Sequence, residues 1–308
     1  MTQALDHGSL VLGGNVFGWT ADPAASVEIL DAFVAAGGRS IDTADVYSAW
    51  IEGNSGGDSE RILGDWIASR GRRDDVVIAT KVSKLAERPG LERSNVRAAI
   101  EESLQRLKTD YVDLYYAHAD DESQRIEDVV LTFHELVQEG KIRAVGASNF
   151  TAERLAAAVA FAQSENLTPF TYAQDRWSLV ERGIEQTLVP TLLELGVTQL
   201  PYSSLASGFL TGKYRAGVEV ASARAGGASR YLASPGAAGL LTVLDDVAAA
   251  HQVQVASVAL AWLAAQPSVS APIASARTLA QVAPLVASFD LELTTAELDA
   301  LTHASSLI

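Results

Sequence analysis

Three successive apolar segments of the chain each end in a side chain that can take part in proton transfer. The first ends in Asp42, with Tyr47 five positions later, the second ends in Lys81 and the third in His118. Each segment has the composition of a buried strand, so these polar groups are predicted where a strand gives way to a loop. A carboxylate, a phenol, an ammonium and an imidazole in one place could together manage a proton at a reacting oxygen.

The reaction that suits this set is carbonyl reduction by hydride transfer, which leaves an alkoxide that a general acid must protonate. Tyr47 is the candidate acid, although a free tyrosine has a pKa near ~10. A neighbouring ammonium such as Lys81 is expected to lower that pKa, and Asp42 would keep a buried Lys81 charged. His118 could then donate a hydrogen bond to the substrate oxygen. Each residue also has an ordinary structural explanation: an ion pair for Lys81, a hydrogen-bonded His118 and a packed Tyr47.

Short β-rich segments alternate with helical patterns along the chain. The expected strands are residues 10–12, 39–42, 75–81, 112–118, 142–147, 170–174, 197–202 and 269–273. The expected helices are residues 23–36, 59–69, 92–107, 126–138, 151–162, 184–195, 240–250, 256–265 and 279–287. Between them, residues 215–239 form a long insertion rich in Gly, Ala, Ser and Arg. About eight strand-helix alternations predict an α/β fold of the (β/α)8 TIM-barrel type, with residues 1–308 as a single domain and active-site residues at the strands' carboxyl ends.

A doubly wound sheet has the same alternation and is the competing architecture. A dinucleotide-binding sheet of that kind normally carries GxGxxG after its first strand. Residues 13–18 read GGNVFG, with Asn15 where the second glycine belongs, and residues 208–213 fall one residue short of a phosphate-binding P-loop. Any nucleotide is therefore expected to be held in another way.

Composition narrows the classes of function. The formal net charge of −15 argues against nucleic acid or an anionic membrane as partner, because phosphate would be repelled. The chain has no cysteine, which excludes disulfides, thiolate nucleophiles and cysteine metal sites. No basic and then apolar leader opens the sequence, and no uncharged helical segment reaches ~20 residues. We therefore expect a cytoplasmic protein, and a monomer, since the helices offer no obvious dimer stripe.

The chain order Asp42, Tyr47, Lys81, His118 resembles the catalytic tetrad of the aldo-keto reductases. Three further segments resemble that family: residues 140–150 (GKIRAVGASNF), 202–213 (YSSLASGFLTGK) and 272–277 (PIASAR). The resemblance extends from Val11 to about Ala287. It implies an enzyme similar to bacterial NADP(H)-dependent aldo/keto reductases, which reduces aldehydes and ketones to alcohols, or runs the reverse, with Tyr47 as general acid or base.

The resemblance also implies how the cofactor is bound. Ser148, Asn149 and Gln174 are expected to hydrogen-bond the nicotinamide carboxamide, and Tyr202 to stack on the ring. The further cofactor contacts expected from residues 203–213 are Ser203, Leu205, Ser207, Gly208, Leu210 and Lys213, in a segment that would wrap the pyrophosphate.

Cofactor choice depends on the last of these segments. Arg277 is expected to face the adenosine 2′-phosphate, with Ser275 and Gln281 beside it, which favours NADPH/NADP+. Leu285 stands where the family often has an asparagine that reads the adenine, so NADH remains possible.

The substrate is expected to be a small carbonyl compound or alcohol. Trp50 and Phe17 are placed to line its pocket, and an aromatic cleft suits apolar or ring-bearing carbonyls. Alternatively, Trp50 anchors its loop. The acidic residues 120–122 are expected either to discourage anionic substrates or to form a solvated face.

Two other functions share some of these features. A cofactor-binding regulatory protein related to channel β-subunits would have the same fold and tetrad. A metal-dependent barrel hydrolase would use His118 with Asp120 and Glu122, but the chain has five histidines and no HExxH, and no metal is expected.

Overall fold

Eight short parallel strands form one curled sheet with helices around it in the computed structural model, which describes residues 4–308. The strands are β1 (Val11–Gly13), β2 (Ser40–Asp42), β3 (Val77–Val82), β4 (Val112–Ala117), β5 (Ile142–Ser148), β6 (Tyr172–Gln174), β7 (Thr198–Gln199) and β8 (Ile273–Ala274). Their order in the sheet is β7-β6-β5-β4-β3-β2-β1-β8. Sequential strands are therefore neighbours, as expected for alternating strand-helix units.

Helices connect these strands and cover the outer face of the sheet. They are α1 (Pro23–Ala35), α2 (Asp58–Arg70), α3 (Arg93–Leu107), α4 (Ile126–Gln138), α5 (Ala152–Ser164), α6 (Val189–Leu195), α7 (Ala225–Leu232), α8 (Ala237–His251), α9 (Val255–Ala264), α10 (Val282–Val286) and α11 (Thr295–Ser305). The strands are buried on both faces, which explains why their sequences are mainly apolar.

The inner face of the sheet has its own apolar core. Its members come from most of the strands or from residues next to them: Val11, Ala79, Leu114, Tyr116, Ala144, Tyr172, Leu200, Ala271 and Ile273. Gly146 lies beside Tyr116, and a methyl group at Gly146 would come within 2.3 Å of that ring. This packing fixes the strands against one another beneath the end where their polar side chains emerge.

Backbone hydrogen bonds also join the two ends of the strand order. Gln199 N donates to Ser268 O at 2.7 Å, and Ser270 N donates back to Gln199 O at 3.0 Å. Ile273 N donates to Pro201 O at 2.8 Å. The segments around β7 and β8 therefore pair with each other, and the residues after them face the same end of the sheet.

Two helices were not predicted, and one begins later than expected. Helix α7 forms inside the insertion, and α11 follows the last predicted element, where a capping box between Thr294 and Glu297 starts it. The helix expected from residue 184 begins at Val189, because Gly183–Glu185 forms a tighter 3₁₀ turn and Pro190 suits the first turn of the helix.

Across the described part of the chain, none of the helices has by itself the length and apolar character to cross a membrane. By those two criteria alone, only α7 and α8 taken together qualify, with a bend of 103° between them.

Candidate active site

The four predicted tetrad residues meet at the carboxyl ends of three neighbouring strands. Asp42 is the last residue of β2, Lys81 lies near the end of β3, and His118 directly follows β4. Tyr47 comes from the turn after β2. Because these strands are parallel and adjacent, their carboxyl ends share one edge, and the prediction that these residues lie together agrees with the structure.

Lys81 is the centre of the hydrogen-bonding arrangement. Its ammonium donates to Asp42 Oδ2 at 2.6 Å, to the Thr43 carbonyl at 2.7 Å and to the Tyr47 hydroxyl at 3.0 Å. The Tyr47 hydroxyl in turn donates to Asp42 Oδ2 at 3.2 Å. An ammonium has three protons, and each has an acceptor here, so the charge is held in one position.

Burial raises the pKa of Tyr47 well above its usual value of 10, and the neighbouring Asp42 carboxylate raises it further. The sequence-based expectation of a lowered pKa was therefore wrong. Burial lowers the pKa of Lys81, against the opposing effect of Asp42. The positive charge beside Tyr47 is thus matched by an equally close negative one, and the phenol keeps its proton at neutral pH.

The His118 imidazole packs edge-on to Tyr47, with 6.1 Å between the ring centroids. Burial, together with the ammonium groups of Lys81 and Lys84, lowers its pKa well below 6.5. The ring is therefore neutral at neutral pH and carries one N–H that can donate to a substrate oxygen.

A cavity of about 820 Å³ opens beside these groups, with Asp42, Tyr47 and His118 on its wall. Lys81 lies behind them. The predicted cofactor residues that line the cavity are Asn149, Gln174, Tyr202, Ser203, Leu205, Ser207, Gly208, Lys213, Ser275, Arg277 and Gln281. Two of the predicted cofactor residues do not line the cavity. Ser148 lies behind Asn149 and accepts from its Nδ2 at 2.9 Å, and Leu210 is buried in the apolar cluster under α8 and α9.

Hydrogen bonds connect the residues expected at the nicotinamide to the tetrad. Asn149 Nδ2 donates to the His118 carbonyl at 2.9 Å, and Asn149 Oδ1 accepts from the Tyr202 hydroxyl at 2.8 Å. Gln174 Nε2 donates to Asp42 Oδ1 at 2.8 Å. These bonds place the carboxamides of Asn149 and Gln174 and the ring of Tyr202 on one wall of the cavity, next to Asp42.

The cavity wall also carries cations, of which Arg224 lies over the Trp19 ring at 5.9 Å to the ring centroid. Lys213, Arg224 and Arg277 all line it, and none of the three forms an ion pair with a carboxylate of residues 4–308. Burial lowers the pKa of Arg224, and the nearby Arg277 lowers it further. Two guanidinium groups that lie near each other without an ion pair to a described carboxylate form a site for an anion such as a phosphate group.

Sequence reasoning missed Arg224. It lies in the insertion of residues 215–239, just before α7, in a stretch whose Gly, Ala and Ser content predicts only a loop. The sequence did not single out Arg224, because the same segment also contains Arg215 and Arg230.

The turn between Tyr202 and Lys213 approaches the cavity with its backbone. Ala206, Ser207 and Gly208 follow one another with φ of 48°, 56° and 91°. Successive left-handed residues of this kind curl the chain tightly, which brings Ser207 and Gly208 onto the cavity wall.

The aromatic end of the cavity differs from the prediction in one residue. Trp50 lines it and is half exposed, but Phe17 is fully buried in the core. The hydrogen-bonded turn after β1 directs Phe17 inward and places Trp19 on the wall instead. Trp19 and Trp50 pack edge-to-face at 5.8 Å between centroids, and Trp50 packs similarly on Tyr47 at 6.2 Å.

The acidic residues after His118 do not line the cavity. Arg154 binds Asp120 at 3.0 Å, and Asp121 accepts the Leu91 backbone N–H at 2.8 Å. Within residues 4–308, no three or more His, Cys, Asp or Glu side chains are grouped so that they could hold a metal ion. The hydrolase alternative therefore has no assembled site in this part of the chain.

Comparison with known proteins identifies the family to which the chain belongs. The model of the "Aldo/keto reductase family" matches residues 9–306. The chain belongs to the aldo/keto reductase family. It is 32% identical to the uncharacterized oxidoreductase YrpG of Bacillus subtilis over 92% of this chain and 88% of that protein. It is also 32% identical to the protein tas of Escherichia coli, over 94% of this chain and 92% of that protein.

A third relative carries a more specific name. The aryl-alcohol dehydrogenase [NADP(+)] of Phanerodontia chrysosporium is 32% identical over 61% of this chain and 51% of that protein. Family membership identifies this aldo/keto reductase as an oxidoreductase that acts on small-molecule carbonyl compounds, and the curled eight-stranded parallel sheet agrees with the family's TIM-barrel fold.

Proposed function

We propose that this aldo/keto reductase interconverts aromatic aldehydes or ketones and their alcohols with NADP(H), using Tyr47 as the general acid. One observation carries the proposal. The Lys81 ammonium bridges Asp42 and the Tyr47 hydroxyl, and that hydroxyl faces a cavity of about 820 Å³. A fixed charge behind a phenol at a cavity wall is the arrangement that proton transfer to a bound oxygen requires.

The reduced nicotinamide, when bound, supplies a hydride to the carbonyl carbon. Tyr47 transfers its proton to the carbonyl oxygen, and the product is the alcohol. As the proton leaves, Lys81 at 3.0 Å stabilises the phenolate that forms, so its charge acts on the transition state more than on the resting phenol. The neutral His118 orients the carbonyl oxygen by donating its N–H.

Use of NADP(H) is supported by three cations on the cavity wall. Arg224 and Arg277 would bind the 2′-phosphate, and Lys213 with the turn through Gly208 would bind the pyrophosphate. A relative whose name includes NADP(+) supports the same choice. NADH would bind without the arginine contacts and therefore more weakly.

An aromatic substrate is supported by the two tryptophans. Trp19 and Trp50 offer perpendicular rings beside Tyr47, and edge and face contacts with a substrate ring would hold the carbonyl near the tetrad. The name of the aryl-alcohol dehydrogenase relative agrees with a ring-bearing substrate.

We further propose that the sheet closes as a (β/α)8 barrel, supported by the backbone bonds between residues 199–201 and 268–273. The single domain over residues 1–308, the monomeric state and the cytoplasmic location stay predictions.

The test combines cofactor titration with turnover. Purified protein is titrated with NADPH and separately with NADH, following quenching of tryptophan fluorescence, and aromatic aldehydes are then added while reduced nicotinamide is monitored by absorbance. Tighter binding of NADPH and aldehyde-dependent oxidation are expected. Binding without turnover of any aldehyde would instead favour the regulatory alternative.

A further inference from the structure

Lys84 is a cavity cation that the mechanism above does not use. It lies three residues beyond Lys81, in the loop after β3, and it lines the cavity on the same side as His118. Among residues 4–308 its ammonium has neither a hydrogen bond nor an ion pair, and the titratable groups close to it are Lys81, His118 and Asp175.

The carboxylates near Lys84 are already engaged by other groups. Asp42 is the only acidic residue on the described cavity wall, and it is bound by Lys81 and Gln174. Asp175 is buried, where it accepts the Asn149 backbone N–H at 2.9 Å and an amide proton of Gln199 at 3.2 Å. Lys84 is therefore an exposed ammonium on the cavity wall without a hydrogen bond or ion pair to a described residue, although the carboxyl group of Asp175 lies near it.

The acidic residues 120–122, which follow His118, do not pair with the Lys84 ammonium either. Asp120 is bound by Arg154, and Asp121 accepts from Leu91 and Ser123, so neither faces the cavity. The described cavity wall thus offers the Lys84 ammonium without an ion-pair partner, in a protein of net charge −15. An exposed ammonium of this kind can pair with an anion, and salt weakens such a pair.

We propose that Lys84 is a substrate-specificity residue that binds a carboxylate, so that the preferred substrate is an aromatic carbonyl compound with a carboxylate on its ring. The ring packs against Trp19 and Trp50, the carbonyl oxygen meets Tyr47 and His118, and the carboxylate reaches the Lys84 ammonium. One ammonium matches the single charge of a carboxylate. Two other cations lie near this part of the wall: Arg176 is 3.7 Å from Glu181, and Arg224, which we assign to the cofactor phosphate, lies over the Trp19 ring at 5.9 Å to its centroid.

This inference rests on the proposed function, and its test separates the two. The substrates are 4-formylbenzoate and its methyl ester, which share the ring and the aldehyde but differ in charge. We expect the wild type to reduce the acid with kcat/KM at least about tenfold above that of the ester, the scale of one charged hydrogen bond. Most of that difference should appear in KM, and added salt should reduce it.

Variants test whether the preference for the acid over the ester depends on the Lys84 side chain. Lys84→Met should lower the acid-to-ester ratio of kcat/KM about tenfold, and Lys84→Arg should largely preserve it. Arg72→Met is the matched control, because it removes a cation that is 73% exposed and outside the cavity. That variant should keep the wild-type ratio.

The outcomes lead to different conclusions. An acid-to-ester ratio near one in the wild type, with both aldehydes reduced, overturns the carboxylate inference and leaves the reductase intact. A wild-type preference that survives Lys84→Met overturns the role of Lys84. Failure of the wild type to reduce either aldehyde with NADPH bound overturns the reductase proposal and this inference together.

Discussion

Lys81 Nζ lies 2.6 Å from Asp42 Oδ2, and the two side chains are 0% and 3% exposed. Such a buried pair is held together by its mutual charge, and removing one partner leaves the other charged and without solvent. The same two residues contact the Tyr47 hydroxyl, so the pair affects both the stability of the fold and the chemistry at the cavity wall.

The first prediction concerns the stability of this pair. Lys81→Met should lower the free energy of unfolding by about 3–5 kcal/mol, because the buried Asp42 carboxylate loses its cation and keeps only its hydrogen bonds from Tyr47 and Gln174. The double variant Asp42→Asn with Lys81→Met should recover at least half of that loss. Urea denaturation followed by tryptophan fluorescence measures both. A loss below about 1 kcal/mol in Lys81→Met would show that the Asp42 charge is compensated in another way.

The second prediction concerns the general acid. Tyr47→Phe should bind NADPH as the wild type does but lose at least roughly a hundredfold in kcat, since only the proton donor is removed. Stopped-flow or steady-state oxidation of NADPH with an aromatic aldehyde measures the loss, and fluorescence titration measures the binding. Near-wild-type turnover would rule out Tyr47 as the donor.

The third prediction concerns cofactor choice. Arg277→Leu and Arg224→Leu should each raise the Kd for NADPH about tenfold or more, because each removes a charged hydrogen bond to the 2′-phosphate. The Kd for NADH, which lacks that phosphate, is the internal control and should change much less. Equal weakening of both cofactors would place the arginines at the pyrophosphate instead.

The fourth prediction concerns a buried acid behind the tetrad. Burial and the nearby Glu60 raise the pKa of Asp45 from 3.8 to about 7, against the opposing effects of Arg106 and Arg88. The folded protein therefore holds the Asp45 proton more tightly than the unfolded chain does. That stabilising contribution is complete below pH 3.8 and is lost as the pH rises through about 7.

Asp45→Asn should consequently gain stability relative to the wild type by about 2 kcal/mol between pH 5 and pH 8. Urea denaturation of both proteins at the two pH values gives this difference, in which other titrating groups cancel. Asp299→Asn, which removes an exposed carboxyl on α11, is the matched control. A difference that stays constant with pH would mean that Asp45 is ionised throughout.

The alternation of elements could be read from the sequence because its signal is local. Strands such as β3 and β4 are mostly apolar and buried, and helices such as α4 have a regular apolar face, so each element can be predicted from a few neighbouring residues. The weakest predictions were in the insertion and at the end of the chain. There α7 packs mainly against the turn of residues 206–211, and α11 packs against α8.

By itself, the sequence determined the chain order of the elements and the position of Asp42, Lys81 and His118 at strand ends, because parallel strands can only bring those ends to one edge. Tertiary structure alone decided which aromatic residue faces the cavity, since the turn after β1 buries Phe17 and places Trp19 on the cavity wall. It also brought Arg224 and Lys84 to the cavity wall and set the direction of the Tyr47 pKa. Those outcomes depend on burial and on distances between residues far apart in the chain, which no local pattern encodes.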